Sequence, residues 1–277
     1  MIIILKNLQQ FENYLREEER SESTIEKYIR DVRRFASYVG NAEISKQSVL
    51  DYKADLGKSY AVASANSMLA ALNSFLRFCG RPDLCVRQFK MQRQAYCSEE
   101  KELTRAEYLR LLQAAEQRHN ERLNLIIQTI CGTGIRVSEL QFITVEALRR
   151  GEVFVNCKGK NRRIFIVAEL RKKLLRYVKE QKITAGPVFI TRCGRPVSRI
   201  QIWKEMKLLC ARARVAQSKV FPHNLRHLFA RTFYSLEKDI AKLADILGHA
   251  SINTTRIYIV TTGAEHRKKM EQMRLIV

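Results

Sequence analysis

The sequence lacks several features that would place the protein in a common class. Its N-terminal apolar run, Met1 to Leu5, is too short for a transmembrane helix or a signal peptide. The seven cysteines are odd in number and include no Cys-x-x-Cys pair, which argues against a disulfide framework and a zinc ribbon. No Gly-x-x-x-x-Gly-Lys-Ser/Thr phosphate loop is present. We therefore expect a soluble protein of a reducing, intracellular compartment, with no membrane partner.

Acidic residues are scarce relative to basic ones. The 277 residues include 50 Lys and Arg against 28 Asp and Glu, a formal net charge of +22. Residues 1–100 carry a net +2 and residues 101–277 a net +20, of which +16 lies between 149 and 219. Such an excess repels itself unless a polyanion neutralises it, which predicts a nucleic-acid partner. A basic amphipathic helix on a membrane is disfavoured because the charge runs through strand-like, loop and helical stretches alike.

Hydrophobic periodicity predicts a bundle of about four helices in the first 90 residues. The expected helices are an opening segment to Arg20, one from a Ser23–Glu26 capping box to Gly40, one from Ser45 to Gly57, and one from Ala63 to Cys79. The polar stretch that follows has little periodicity, and within it we assign residues 91–102 to an interdomain linker.

A second, mainly α-helical domain is predicted over residues 103–277. Its expected elements are a helix opened by a Thr104–Glu107 capping box, an apolar helix Leu123–Cys131 that ends at Gly132-Thr133-Gly134, strands Glu152–Cys157 and Arg162–Val167, an edge strand Val188–Ile190, and helices after Ser198. The two longer strands, joined by residues 158–161, predict a small antiparallel β-sheet.

Three distant segments place polar groups where the flanking pattern is apolar. They are Thr133–Leu140, Pro222–His227 and Leu247–Tyr258. An arginine in each of the first two could grip a phosphate bidentately. His223 lies one helical turn before Arg226, so both can face one anion. Each feature alone is also compatible with an ordinary surface charge or core residue, and only the combination is specific.

The ordered segments TGIRVSEL, KGKNRR, HNLRHLFA and LGHASINTTRIY resemble the tyrosine site-specific recombinases of the phage-integrase and Xer type. These motifs cover roughly residues 103–260. The preceding region is similar to the family's SAM-like core-binding domain only in size and helicity. The resemblance implies a core-binding DNA-binding domain at 1–90 and a catalytic domain at 103–277 that ends in a tail helix.

The resemblance also implies how this chain would hold the scissile phosphate. Arg136 and Arg226 would bind its non-bridging oxygens, and His249 would donate a hydrogen bond to one of them. Glu139 matches the acidic residue that supports the site. His223, the first residue of a His-x-x-Arg motif, would act as an acid or base at the nucleophile.

The remaining roles fall on a tyrosine and on the predicted hairpin. Tyr258 would be the nucleophile that forms a 3′-phosphotyrosyl link. Lys158 would be the general acid for the leaving 5′ oxygen, although Lys160 is close enough to remain an alternative, and Cys157 stands where the family usually has glycine. Lys160, Arg162 and Arg163 are expected to contact DNA.

The implied chemistry needs no cofactor. Two arginines and two imidazoles can supply the positive field for phosphodiester exchange without a metal, and the sequence offers no clustered carboxylates for a two-metal site. A phosphotyrosyl ester conserves the energy of the broken bond, so rejoining needs no ATP. The expected reaction is integration, excision or resolution of DNA.

The expected partners are double-stranded DNA and further copies of the chain. The family assembles as a homotetramer on DNA, and the segment Ala264–Val277 would dock either on its own domain or on a neighbouring protomer. The expected location is the bacterial cytoplasm, at the nucleoid. A type IB topoisomerase and a non-catalytic DNA-binding protein of the same fold are the two competing functions.

Overall fold

The computed structural model describes residues 2–40, 42–90, 101–157, 160–249, 251–258 and 271–273. The chain divides into two compact units, residues 1–93 and 94–277. Most of the predicted linker and most of the predicted tail helix lie outside the described residues. Within the described ranges, no helix is both long and apolar enough to cross a membrane.

The N-terminal unit is built from four helices: α1 (Ile2–Glu17), α2 (Glu22–Val39), α3 (Lys46–Ser59) and α4 (Val62–Phe78). Phe11, Phe35 and Phe75 are buried in their shared core. As predicted, Gly40 ends α2 and Ser45 caps α3. The prediction for the start of α2 is wrong: Ser21 occupies the cap position, and Ser23 already lies in the first turn.

The polar stretch after α4 belongs to this unit through two asparagine side chains. Asn73 donates to the carbonyl of Val86 at 2.8 Å and accepts from its N–H at 3.0 Å. Asn66 makes the same pair of bonds with Phe89, at 2.9 and 2.8 Å. Two helical amides thus satisfy the backbone of an extended segment, which hydrophobic periodicity cannot reveal.

The C-terminal unit contains nine described α-helices and one hairpin. They are α5 (Arg105–Gln117), α6 (Glu121–Thr133), α7 (Val145–Arg150), β1 (Glu152–Cys157), β2 (Lys160–Phe165), α8 (Ala168–Glu180), α9 (Arg199–Lys207), α10 (Cys210–Ala213), α11 (Pro222–Glu237), α12 (Ile240–Leu247) and α13 (Ile252–Arg256). A 3₁₀ helix, Val137–Phe142, follows α6.

The β-structure is smaller than predicted in one place and shifted in another. The strands pair antiparallel from Glu152 with Phe165 to Cys157 with Lys160, so β2 begins two residues before the predicted Arg162. The predicted strand Val188–Ile190 is wrong: Ile190 makes only an isolated bridge with Pro196, and Pro187, directly before the stretch, makes another with Thr144. Proline has no N–H to donate and cannot extend a ladder.

Two left-handed glycines bring the ends of helices close to the site. Gly134, with φ +63°, ends α6, and a Cβ there would lie 2.5 Å from the ring of Phe229 on α11. Gly248, also at φ +63°, ends α12, and a Cβ there would lie 2.5 Å from Cδ of Arg162 on β2. Both positions therefore need glycine for its conformation and for its lack of a side chain.

Candidate active site

Arg226 lies at the centre of the candidate site and is only 2% exposed. It projects from the second turn of α11, which begins at Pro222. Its guanidinium donates to the carbonyl of Gly134 and, at 2.7 Å, to that of Leu247. Burial and the charge of Arg136 lower its pKa to about 10, so it stays charged at neutral pH. The side chain therefore joins the ends of α6 and α12 to the start of α11.

Arg136 is positioned by a carboxylate one turn away. It precedes the 3₁₀ helix, and its N–H donates to Oε2 of Glu139 at 2.9 Å. Its Nη1 donates to Oε1 at 2.9 Å, and its Nη2 reaches the carbonyl of Gly248 at 3.4 Å. The Arg136 side chain is 40% exposed and that of Glu139 only 4%. The exposed guanidinium edge remains able to bind an anion.

Glu139 is ionised despite its burial. Burial alone would raise its pKa, but the backbone hydrogen bond from Arg136 and the charges of Arg162 and Arg136 outweigh it and lower the pKa. The carboxylate therefore remains an acceptor for both guanidinium groups at neutral pH.

The hydrogen bonds of His249 define its tautomer. Its Nε2 lies 2.9 Å from Nη2 of Arg226, and its Nδ1 lies 2.8 Å from Oγ1 of the fully buried Thr255. A guanidinium can only donate, so Nε2 accepts and the ring proton is on Nδ1. Burial and the neighbouring charges, led by Arg226, lower the pKa of His249 to about 4. The free protein thus holds a neutral imidazole here.

Tyr258 packs inside a group of three imidazoles. It is 3% exposed and follows α13, with its hydroxyl 3.5 Å from Nε2 of His223. Its ring centroid lies 5.6 Å from that of His223, 4.3 Å from that of His227 and 5.4 Å from that of His249. Burial and the charges of Arg226 and Arg136 lower the pKa of His223, which favours a neutral ring able to accept a proton.

His227 is a site residue that the sequence reasoning missed. It makes the closest of the three ring contacts to Tyr258, and its Nδ1 is buried with no hydrogen-bond partner among the described residues. Burial, followed by the charges around it, lowers its pKa to about 4. The available signal was its position four residues after His223, on the same face of α11.

An open cavity of about 580 Å³ connects the anion-binding groups. Arg136, His223 and Arg226 line it together with Trp203 and Arg199 of α9. Among the described residues, no three His, Cys, Asp or Glu side chains are grouped to hold a metal ion. The cavity can therefore accept an anion against two arginines, next to a tyrosine hydroxyl and neutral imidazoles.

The hairpin residues have different surroundings. Lys158 lies outside the described residues, and the side chain of Lys160 is not described. Arg163 is exposed, stacks near Phe154 and Phe165, and pairs with Glu152.

Arg162, which was expected to contact DNA, is buried and is not among the residues that line the cavity. Its side chain is 8% exposed and is bound to Glu139 and to the carbonyl of Ile246. Strand alternation explains the contrast with Arg163, since adjacent residues of β2 face opposite sides of the hairpin.

Comparison with known proteins agrees with this geometry. The Phage integrase family matches residues 101–264, and the phage integrase N-terminal SAM-like domain matches residues 8–81. The tyrosine recombinase XerA of Thermococcus kodakarensis is 32% identical over 276 residues, covering 97% of this chain and 95% of that protein. The tyrosine recombinase XerD of Halalkalibacterium halodurans is 29% identical, covering 96% of this chain and 97% of that one.

The same fold occurs among solved structures. A λ integrase tetramer bound to a Holliday junction superposes with a TM-score of 0.74, at 18% identity, over 91% of this chain and 75% of that one. The mainly helical architecture with a small antiparallel sheet is therefore that of λ integrase, as the sequence predicted.

Proposed function

The chain belongs to the phage integrase family of tyrosine site-specific recombinases, and we propose that it exchanges DNA strands with Tyr258 as the nucleophile. One observation carries this assignment. Arg136, Arg226 and His223 line a single cavity, and the Tyr258 hydroxyl lies 3.5 Å from Nε2 of this His223. The chain is a DNA recombinase.

The scissile phosphate is held by the two arginines. Arg136 and Arg226 bind its non-bridging oxygens and offset the charge that develops on them during in-line attack. His249, at the end of α12, donates to the same group once its Nε2, which accepts from Arg226 in the free protein, is protonated. An arriving phosphate supplies the negative charge that the free site lacks, so its binding raises the pKa of His249 and His223 from their lowered values.

Cleavage transfers one bond and two protons. The Tyr258 oxygen attacks phosphorus and gives its proton to the neutral His223, while the bond to the 5′ oxygen breaks. Lys158 supplies the proton that the 5′ oxygen needs to leave as a hydroxyl. The 3′ phosphate is then esterified to Tyr258, and attack by the 5′ hydroxyl of another strand reverses each transfer and rejoins the DNA.

The hairpin lysine is assigned by a leaving-group experiment. A 5′-bridging phosphorothiolate leaves without a general acid, so it should restore cleavage to a variant that lacks that acid and to no other variant. We expect it to rescue Lys158→Ala, whereas Lys160→Ala should lose mainly DNA affinity. Rescue of Lys160→Ala alone would transfer the role to Lys160.

We assign DNA binding to both parts of the chain. Residues 1–90 form the core-binding domain, 91–102 the linker, and 103–277 the catalytic domain. In the N-terminal unit, a surface cavity of about 590 Å³ between α2 and α4 is lined by Lys27, Arg30 and Arg34. Cations along one face of a helix suit the spacing of a phosphate backbone. In the catalytic domain, the same role is assigned to Arg163, whose side chain is exposed, and to Lys160.

Related recombinases assemble on DNA as dimers and tetramers, and this chain acts as an oligomer on DNA. We infer that the functional form is a homotetramer in which residues 264–277 dock on the neighbouring protomer. Deletion of this segment should prevent assembly on a two-site DNA and leave single-site binding intact. Unchanged assembly would contradict the exchange. Because its substrate is DNA, we place the protein in the bacterial cytoplasm at the nucleoid.

The two competing functions are disfavoured. The XerA and XerD relatives are tyrosine recombinases, and the described part of the site contains the arginines, imidazoles and tyrosine that covalent chemistry needs. A suicide substrate with a nick near the cleavage point tests both. We expect a covalent protein–DNA adduct that Tyr258→Phe abolishes with little loss of binding, and strand exchange between two sites. An adduct that persists in Tyr258→Phe would show that the nucleophile is misassigned.

A further inference from the structure

Three consecutive carbonyl groups at the end of α12 are held by three different arginines. Arg162 donates to Ile246 at 3.0 Å, Arg226 to Leu247 at 2.7 Å and Arg136 to Gly248 at 3.4 Å. The C-terminal carbonyls of a helix carry partial negative charge, so guanidinium groups are favourable there. Arg136 and Arg226 are the proposed phosphate ligands, and Arg162 is the third member of the set.

Arg162 does not line the cavity that the other two arginines share. Its side chain is 8% exposed and faces Glu139 and α12, whereas Arg226, although it is only 2% exposed, lines the cavity together with Arg136. Nη2 donates to Oε2 of Glu139, and the buried Nε has no partner among the described residues. The same Glu139 binds Arg136 through Oε1, so one carboxylate connects a buried arginine to an exposed one.

Arg162 also contacts the residue before His249. Its Cδ occupies the space that a side chain at Gly248 would need, at 2.5 Å from the ideal Cβ position. The guanidinium binds the carbonyl two residues earlier. Arg162 therefore connects β2 directly to the end of α12, next to His249, and this contact is separate from the one through Glu139 to Arg136.

We infer that Arg162 is a positioning residue for strand cleavage: it holds Arg136 through Glu139, and His249 through the end of α12, in the arrangement that binds the scissile phosphate. The inference rests on the proposed function of that site. It replaces the expected DNA-contacting role of Arg162, and it makes the hairpin a structural support of the phosphate-binding groups in addition to the carrier of the general acid.

The test is the single-turnover rate of adduct formation at saturating suicide substrate in Arg162→Met and Arg162→Lys. Because displacement of a reacting group by about 1 Å can cost about 100-fold in rate, we expect Arg162→Met to cleave 10–100 times more slowly. DNA affinity should change by less than about threefold, since the buried Arg162 neutralises no phosphate. Arg162→Lys keeps the positive charge but cannot reach both acceptors, so its cleavage rate should lie between those of wild type and Arg162→Met.

Arg122 provides a matched control. It also donates to one carbonyl, that of Ile190, and to one carboxylate, that of Glu205, and its Nε is likewise buried without a partner among the described residues. Arg122 lies at the start of α6, whereas Arg136 follows the end of that helix. The 13 residues of α6 span about 20 Å, and this length separates Arg122 from the site. Arg122→Met should lower the melting temperature and leave the cleavage rate per folded molecule within about twofold of wild type.

A modified phosphate separates positioning from general destabilisation. A methylphosphonate at the scissile position removes one negative charge, so cleavage depends less on a well-placed Arg136 and His249. The gap in cleavage rate between wild type and Arg162→Met should shrink at least fivefold on this substrate, and it should persist on the 5′-bridging phosphorothiolate. Equal rate losses in Arg122→Met and Arg162→Met, or an unchanged gap on the methylphosphonate, would overturn the inference. Absence of any wild-type adduct would instead refute the proposed function.

Discussion

Each unit of the protein contains a buried carboxylate between two cations, and the two arrangements differ in where the cations come from. In the N-terminal unit, Asp31 binds Lys27 at 2.5 Å and Arg30 at 3.3 Å, all on α2. In the C-terminal unit, Glu139 binds Arg136, three residues away, and Arg162 from β2. The first cluster is local to one helix, whereas the second requires the tertiary fold.

Exposure separates the two clusters further. The side chains of Lys27 and Arg30 are 33% and 73% exposed, so water screens both charges. Arg162 is 8% exposed, and loss of its carboxylate would leave a buried charge unpaired. The Asp31 cluster, whose cations are exposed, can be adjusted at little cost in stability and suits adaptable contact with a DNA backbone. The Glu139 cluster includes a buried arginine, and it suits a site in which small displacements alter the cleavage rate.

Substitution of the two carboxylates should give the largest contrast. Glu139→Gln leaves Arg162 without an anionic partner and should lower the free energy of unfolding by about 3 kcal/mol and the cleavage rate by about 100-fold. Asp31→Asn should cost about 1 kcal/mol or less and leave the rate at saturating DNA unchanged. Urea unfolding and single-turnover assays measure both. Equal effects of the two substitutions would remove the distinction.

Two left-handed glycines at helix ends provide the next contrast. Gly151, at the end of α7, has φ +85° and open space within 4 Å of the position that a Cβ would take, whereas at Gly248 the Cδ of Arg162 is 2.5 Å from that position. Gly151→Ala should cost about 1 kcal/mol for the left-handed backbone alone. Gly248→Ala should cost about 2–4 kcal/mol, because overlap adds to the backbone term, and should slow cleavage at least tenfold. Similar costs at both positions would show that Arg162 yields readily.

The cavity between α2 and α4 forms a basic groove on the N-terminal unit. Removal of its cations should weaken DNA binding and leave the cleavage rate unchanged. The triple variant Lys27→Ala, Arg30→Ala, Arg34→Ala should lower affinity about tenfold or more near 0.15 M salt. The slope of log affinity against log salt should decrease by about 0.9 for each phosphate that the variant no longer neutralises. The cleavage rate at saturating DNA should not change. Titrations at several salt concentrations check this, and an unaltered slope would exclude the groove from the DNA interface.

The smallest predicted difference between the two units is in how their stability depends on pH. His227 and His249 have folded pKa values of about 4, below the usual 6.5, so the unfolded chain binds more protons between these values. Stability of the C-terminal unit should therefore fall as pH decreases from 6.5 to 4. The N-terminal unit contains no histidine. Fluorescence of Trp203, the only tryptophan, follows the C-terminal unit, and His227→Gln should flatten the dependence of its urea midpoint on pH.

Local signals predicted most of the helices and misplaced some of their details. Gly40, Ser45, Thr104 and Gly134 act as caps where the sequence indicated, because capping depends on residues within one turn. The edge-strand prediction was wrong because Pro187 and Pro196 form isolated bridges and lack the N–H that would extend a ladder. The hydrogen bonds of Asn66 and Asn73 with the segment after α4 were also not predicted from the sequence, since a buried asparagine gives no periodic signal.

The sequence by itself determined the chemistry of this protein: which side chains of the family's motifs are present, in what order, and with what excess of positive charge. Only the tertiary structure decided which contacts each arginine makes. Arg162 and Arg163 are adjacent in the chain, yet Arg162 is buried against Glu139 and α12 while Arg163 faces solvent. His227 contacts Tyr258 across 31 residues of chain for the same reason. Burial and long-range contacts set these roles, and they exist only once the helices pack.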